Sequence, residues 1–243
     1  MKIKLLVLFA SLSVFASIAA AQSVVITKKT VTYRRPKPIV AFKKAFTVAY
    51  PKVKAATPAI SKKIESAISY ESNLDLNIKD ELGETQWLES ADYEIRYNKN
   101  GILSIALSVE GTAAYPDGST KYVVVNTTTG TKAKPGDVFT NLSGLLAKVN
   151  KAKDKEIVNA IIDTKKDPEN KDADIENMFK ESEEYNKLSL DQFSVSDKGV
   201  TFHHDYGFAH VAQALQPAGE FFFTWAELIP YIKAGGLLSR IGR

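Results

Sequence analysis

Residues 93–109 constrain the fold of this chain more than any other stretch. Tyr93, Ile95 and Tyr97 alternate with Glu94 and Arg96, Asn100-Gly101 follows, and Leu103, Ile105, Leu107 and Val109 then alternate with small or polar residues. A period of two places each apolar set on one side of a strand. Asn-Gly supplies the two positive-φ positions of a tight hairpin turn. The segment is therefore an antiparallel hairpin with one buried face, and a chain containing it builds an antiparallel sheet, not a doubly wound parallel one. Residues 121–126, KYVVVN, are apolar on both faces, which assigns them a central strand, and Thr129-Gly130 turns the chain after them.

The flanking sequence alternates between strand and helix signals. Phe46, Val48 and Tyr50 share one face of a strand over 45–53. Thr57 then caps a helix whose first residue, Pro58, has no amide proton to leave unsatisfied, and Ile60, Ile64, Ala67 and Ile68 recur at helical spacing. Residues 73–86 are polar and read as a loop. Farther on, Leu142, Leu145, Leu146, Val149, Ala152, Ile157, Ala160 and Ile161 line one side of a long helix that Asp167-Pro168 must end. A shorter helix is expected over 175–185. The final module runs from Phe193 and Val195 through a turn at Asp197-Lys198-Gly199 to Val200 and Phe202, then through Ala218-Gly219 to a strand at 221–223. Thr224 with Glu227 three residues on forms a capping box that starts a helix over 225–232, ended by Gly235-Gly236. Together these signals predict an α+β fold, an antiparallel sheet with helices packed on it.

Composition sets the class. At 243 residues, 44% hydrophobic and 25% charged, the chain buries a real core, and whole-chain disorder is excluded. Residues 1–21 carry Lys2 and Lys4, an apolar run over 5–18 and the small residues Ala19, Ala20 and Ala21, which reads as a secretory signal peptide. The expected product is exported, to the periplasm or the exterior. There is no cysteine, so disulfides, thiol catalysis and a lipid-modified cysteine are excluded. The net charge of +4 conceals an asymmetry: residues 22–63 hold eleven Lys and Arg and no acid, whereas 65–243 hold 19 basic and 28 acidic residues. Residues 22–44 are thus expected to be a basic extended arm or linker, 45–233 a single α+β domain and 234–243 a C-terminal tail. Within the arm, residues 23–33 are β-branched and suit a strand, and the prolines of RRPKP favour an extended linker. The arm has two readings. Lys28, Lys29, Arg34, Arg35 and Lys37 attract an anionic envelope polymer, or they dock on the acidic body or sit in solvent. Nucleic acid fits least, because export removes the usual target.

All three histidines lie in the final module. His203 and Asp205 project to the same side of a strand, and His210 follows in the next turn, a set zinc accepts with water in the open position. Against this, the neighbouring His204 points the opposite way, no H-E-x-x-H accompanies the set, and a structural role explains each histidine. Asp172-Ala173-Asp174 lacks the rest of a calcium loop. Glu89, Asp92, Glu94 and Glu110 offer carboxylate pairs for glycoside hydrolysis, but solvent-facing strand positions explain them equally. No nucleophile elbow, phosphate loop or dinucleotide fingerprint is present, and no cofactor is implied.

Tyr50-Pro51, the stretch YVVVNTTTG at 122–130 with Asp137-Val138-Phe139, and residues 193–202 with Tyr206, Ala218-Gly219 and Glu227-Leu228 follow one another in a telling order. That order resembles the extracytoplasmic domain of unknown function in the anti-sigma-V factor RsiV, a domain also appended to a peptidoglycan deacetylase. The resemblance covers roughly residues 46–232. It implies an envelope-facing α+β domain that engages a cell-envelope glycan or an envelope protein such as lysozyme. Neither sigma-factor sequestration nor deacetylase chemistry carries over, and no motif transfers lysozyme-contacting residues one by one. Two functions from different classes stand: a non-catalytic binding or sensing module, and an envelope hydrolase, metal-dependent through the His203, Asp205 and His210 region.

Overall fold

The computed structural model describes residues 24–40, 43–182 and 184–241; the segment 1–21, read from the sequence as a signal peptide, lies outside them. The β-branched basic segment forms β1 (Val25–Arg34), which pairs antiparallel along its whole length with β2 (Ala45–Lys54), from Val25↔Lys54 to Arg34↔Ala45. The basic arm therefore includes the outermost strand of the sheet. Its start is clamped by Asn98, whose side-chain oxygen accepts from the Val24 N–H at 3.1 Å while its amide nitrogen donates to the Val24 carbonyl at 2.7 Å.

Thr57 accepts from the Ile60 N–H and Pro58 opens α1 (Pro58–Ala67), as expected. The supposed loop differs. It contains the end of α2 (Tyr70–Leu74) and all of α3 (Ile78–Leu82), each five residues long and capped by Ser69 and Asn77. Helices this short show no readable periodicity, yet Leu74, Leu76, Ile78 and Leu82 pack on the core. These helices carry the chain across to β3 (Leu88–Lys99), which runs parallel to β2 at Thr47↔Ser90 and Val48↔Ala91. This is the one parallel pair in a sheet that is otherwise antiparallel among the described residues. Asn100 and Gly101 take φ of 55° and 74°, turning β3 into β4 (Ile102–Thr112) as the Asn-Gly signal requires.

Next, β5 (Pro116–Asn126) pairs with β4 over its full length, and β6 (Thr131–Lys132) pairs only with Val125 and Asn126, completing the order β1-β2-β3-β4-β5-β6. One face of this sheet, with Phe46, Val48, Ile105, Leu107 and Val123, forms a core against Ile64, Ile68 and Tyr70 of the helices.

The other face is covered at one end. There the chain forms α4 (Pro135–Val138), α5 (Leu142–Lys166), α6 (Ile175–Glu181), β7 (Phe193–Val195), β8 (Gly199–His203), β9 (Glu220–Thr224) and α7 (Trp225–Leu228). The order β7-β8-β9 makes a second, antiparallel sheet. Phe139, Phe193, Phe202, Phe221 and Phe223 pack with Ile102 and Val124 of the large sheet and Leu145 and Val149 of α5. A direct tie joins the two sheets, the Val195 N–H donating to Ser104 Oγ at 3.0 Å. α5 stops one residue before Asp167-Pro168, and the Thr224/Glu227 capping box is formed. The expected helix over 225–232 is α7 followed by a 3-10 turn at Ile229–Tyr231. In the expected tail, a 3-10 turn at Leu237–Arg240 buries Leu237 and Leu238.

Candidate functional site

Alternation along β8 sends Val200 and Phe202 into the aromatic core and His203 the other way, toward β5. The His203 ring lies on Tyr122 with centroids 3.4 Å apart and planes 5° from parallel. Its Nε2 is 2.8 Å from Ser194 Oγ, and its Nδ1 is 3.7 Å from Glu220 Oε1. That last separation is too long for a hydrogen bond. Burial, reinforced by the positive charge of Arg96, pushes the His203 imidazole down to about 3, so the ring is neutral at ordinary pH. His204 turns to the opposite side and meets Tyr185 and Tyr206 edge-on, at 5.4 Å and 4.7 Å between centroids. Its N–H donates to the Gly219 carbonyl at 2.9 Å.

The remaining members of the alternative metal set go elsewhere. Asp205 Oδ1 accepts from the Gly207 N–H at 2.9 Å and from Gln216 Nε2 at 3.1 Å. Gly207, at φ 66°, turns the chain four residues beyond the end of β8, and His210 stacks on Tyr115 in the β4–β5 connection at 4.7 Å. Among the described residues no group of three or more His, Asp or Glu side chains is placed to hold a metal ion. His203, Asp205 and His210 do not make a common centre, because the strand ends at His203 and the geometry that alternation would have continued is lost.

What does converge is a cleft of about 490 Å³ beside His203, His204 and Asp205. Its floor is the outer edge of β5 at Gly118, Thr120 and Tyr122; its walls are the turn around Asp191 and Gln192 and the segment carrying Gln216 and Ala218. Gln192 Oε1 accepts from the Tyr122 N–H at 3.4 Å. Burial raises the Asp191 carboxyl, with the Lys134 charge opposing it. The back wall depends on Gly219, at φ 62°: a Cβ there would stand 1.9 Å from the His204 carbonyl oxygen. Ala218-Gly219 was legible as a motif, and this close approach is its physical reason. The β5 edge was not legible as part of a site.

The basic residues of the arm split by environment. Lys28 pairs with Asp92 Oδ1 at 2.6 Å in the open, and Lys29, Arg34 and Lys37 are exposed. Arg35 is not available to a ligand. Its guanidinium is buried and donates to the carbonyls of Glu81 (2.8 Å), Leu88 (2.6 Å) and Lys43 (3.1 Å), and it lies 3.3 Å from Glu81 Oε2. It is a structural bolt between the arm and the body.

A second cavity, of about 470 Å³, lies between β2 and α1–α3 around Tyr50, Lys52, Glu65, Ile68 and Tyr70. Tyr50 shares a 2.8 Å hydrogen bond with Tyr33, and Tyr70 donates to the Ala49 carbonyl at 2.9 Å. Burial, and for Tyr50 also the bond to Tyr33, raises both phenols well above their ordinary value.

The architecture defines a class: α+β domains in which a six-stranded sheet carries a small antiparallel sheet and helices on one end of a face. Solved structures of similar fold are known. A DUF3298 family protein from Pseudomonas aeruginosa superposes with a TM-score of 0.58 at 13% identity, over 88% of this chain and 96% of that one. A member of the same family from Bacteroides fragilis gives 0.50 at 14% identity, over 90% and 98%. At the level of sequence, no family model and no curated protein matches this chain. The likeness is therefore one of fold, to a domain of unknown function.

Proposed function

We propose that this chain is an exported, non-catalytic binding or sensing domain of the bacterial cell envelope, and that it receives its ligand in the cleft between β5 and the end of β8. The ligand class, a peptidoglycan-related glycan or a protein such as lysozyme, comes from the RsiV resemblance. The observation that carries the non-catalytic reading is the engagement of His203 and Asp205, the two members of the candidate metal set that line the cleft. His203 is neutral, stacked and hydrogen-bonded to Ser194, and Asp205 is occupied by Gly207 and Gln216. Groups committed in this way recognise and orient; they are poorly placed to move protons during a reaction.

The test uses the chain freed of residues 1–21. Retention on insoluble peptidoglycan, or capture by an immobilised muramidase, is expected at low salt, and Asp191→Ala should weaken it several-fold. Failure to bind either at low salt removes the ligand class. Turnover of a muropeptide substrate that survives Asp205→Asn but not His203→Gln would replace the binding reading with a catalytic one.

A further inference from the structure

The cleft has an unusual floor. Antiparallel pairing makes alternate residues of a strand face one neighbour, and the Thr127 N–H donating to the Gly101 carbonyl at 2.9 Å shows that the odd-numbered residues on this side of the ladder face β4. The even-numbered residues therefore face outward, as the Val124 carbonyl does where it accepts from the Ala133 N–H at 2.8 Å. β6 pairs only with Val125 and Asn126, so from Gly118 to Tyr122 the outer edge of β5 has no strand beside it among the described residues.

Two of the outward donors are dealt with locally. The Gly118 N–H turns to Asp117 Oδ1 at 2.7 Å, and the Tyr122 N–H reaches Gln192 Oε1 at 3.4 Å, a long contact in which a side-chain amide stands where a peptide carbonyl would. No described residue bonds the Thr120 N–H and carbonyl or the Gly118 and Tyr122 carbonyls on this outer edge beside the cleft.

We infer that the cleft takes its ligand as an extended peptide segment that adds a strand to the free edge of β5 and directs a basic side chain toward Asp191. The inference rests on the reading of this cleft as the binding surface and specifies the partner's chemistry. Main-chain pairing with Thr120 supplies attachment, and side chains on alternate positions supply selectivity. The open edge spans five residues, Gly118 to Tyr122, which at about 3.4 Å per residue accommodates a segment of similar length. β6 closes one end of the edge at Val125. Charge selects the class of peptide: Asp191 and Asp205 both line the cleft, and the Asp191 carboxylate accepts no hydrogen bond from a described residue, whereas the cleft's one lysine, Lys121, alternates to the side of β5 opposite Tyr122. A Lys or Arg side chain entering the cleft gives Asp191 a charge-assisted hydrogen bond beyond the more distant charge of Lys134.

The experiment is selection of a phage-displayed library of linear heptapeptides on the full chain, followed by affinity measurement with the selected peptides. The expected peptides carry Lys or Arg and bind Thr120→Pro at least tenfold more weakly, because proline removes the outward N–H without touching the β4 ladder. Thr120→Ala should bind within twofold of the parent, and Asp191→Asn at least threefold more weakly. If Thr120→Pro fails to fold, N-methylation of alternate peptide amides removes the same hydrogen bonds from the ligand's side and must abolish binding. Enrichment of no peptide, or of peptides indifferent to both changes, overturns the inference. If peptides fail while peptidoglycan is still retained, the cleft reads glycan and only the strand-addition mode falls. If peptides bind through Thr120 while neither peptidoglycan nor muramidase is retained, strand addition stands and the ligand class proposed above falls.

Discussion

Position in the fold, more than charge, determines what each basic or imidazole side chain does here. Lys28 and Arg35 both belong to the basic segment, yet one holds Asp92 in water and the other is sealed beside Glu81. Removing one member of a buried pair strands the other charge, so Arg35→Ala should cost about 3–5 kcal/mol in urea unfolding. Lys28→Ala should stay within about 0.5 kcal/mol. His203 gives a pH signature. Its folded-state pKa, about 3, lies below the ordinary 6.5, so the unfolded chain takes up the proton first as pH falls. Its neutral burial costs nothing above pH 6.5. Stability then declines between about 6.5 and 3, at up to about 1.4 kcal/mol per pH unit. A His203→Gln variant should show a correspondingly flatter fall in melting temperature from pH 7 to pH 5, whereas equal slopes would contradict the assignment.

Among the elements, those with strong local signals were readable: the Asn-Gly hairpin, the Thr57-Pro58 start, the stop before Pro168 and the Thr224/Glu227 box all stand where the sequence placed them. Those depending on partners were not. α2 and α3, capped by Ser69 and Asn77, are too short for a 3.6-residue period to declare itself. The parallel β2–β3 pair and the early end of β6 are choices of neighbour made far along the chain, which no window of sequence contains. The same reason explains why half the cleft was legible and half was not. His203 to Asp205 drew notice as a cluster, but the β5 edge opposite them becomes a surface only because β6 stops short. Gly219 joins the two halves. Gly219→Ala should destabilise the protein by at least about 2 kcal/mol and raise hydrogen exchange at the His204 amide, which it holds; unchanged exchange would show that the backbone absorbs the methyl group.

Taken as a whole, the molecule has two large apolar cores on opposite faces of β4, whose consecutive residues Ile102 and Leu103 belong to one each. A strand shared in this way couples them, since neither core can be lost without exposing the strand that backs the other. Each core carries its own tryptophan, Trp87 in the helix-covered core and Trp225 in the aromatic one. The Trp225→Phe and Trp87→Phe variants, followed by fluorescence, should therefore report denaturation midpoints that each coincide with that variant's far-ultraviolet circular dichroism. Separated midpoints would show that the small sheet melts on its own.

The Asn98 clamp on Val24 gives the sheet a mechanical character. Tension applied at residue 24 along the strand axis meets two side-chain bonds and then the whole β1–β2 ladder in shear, so many rungs must fail together. The same tension applied across the sheet would peel them one at a time. A domain held at residue 24 thus resists pulling in one direction and yields in another.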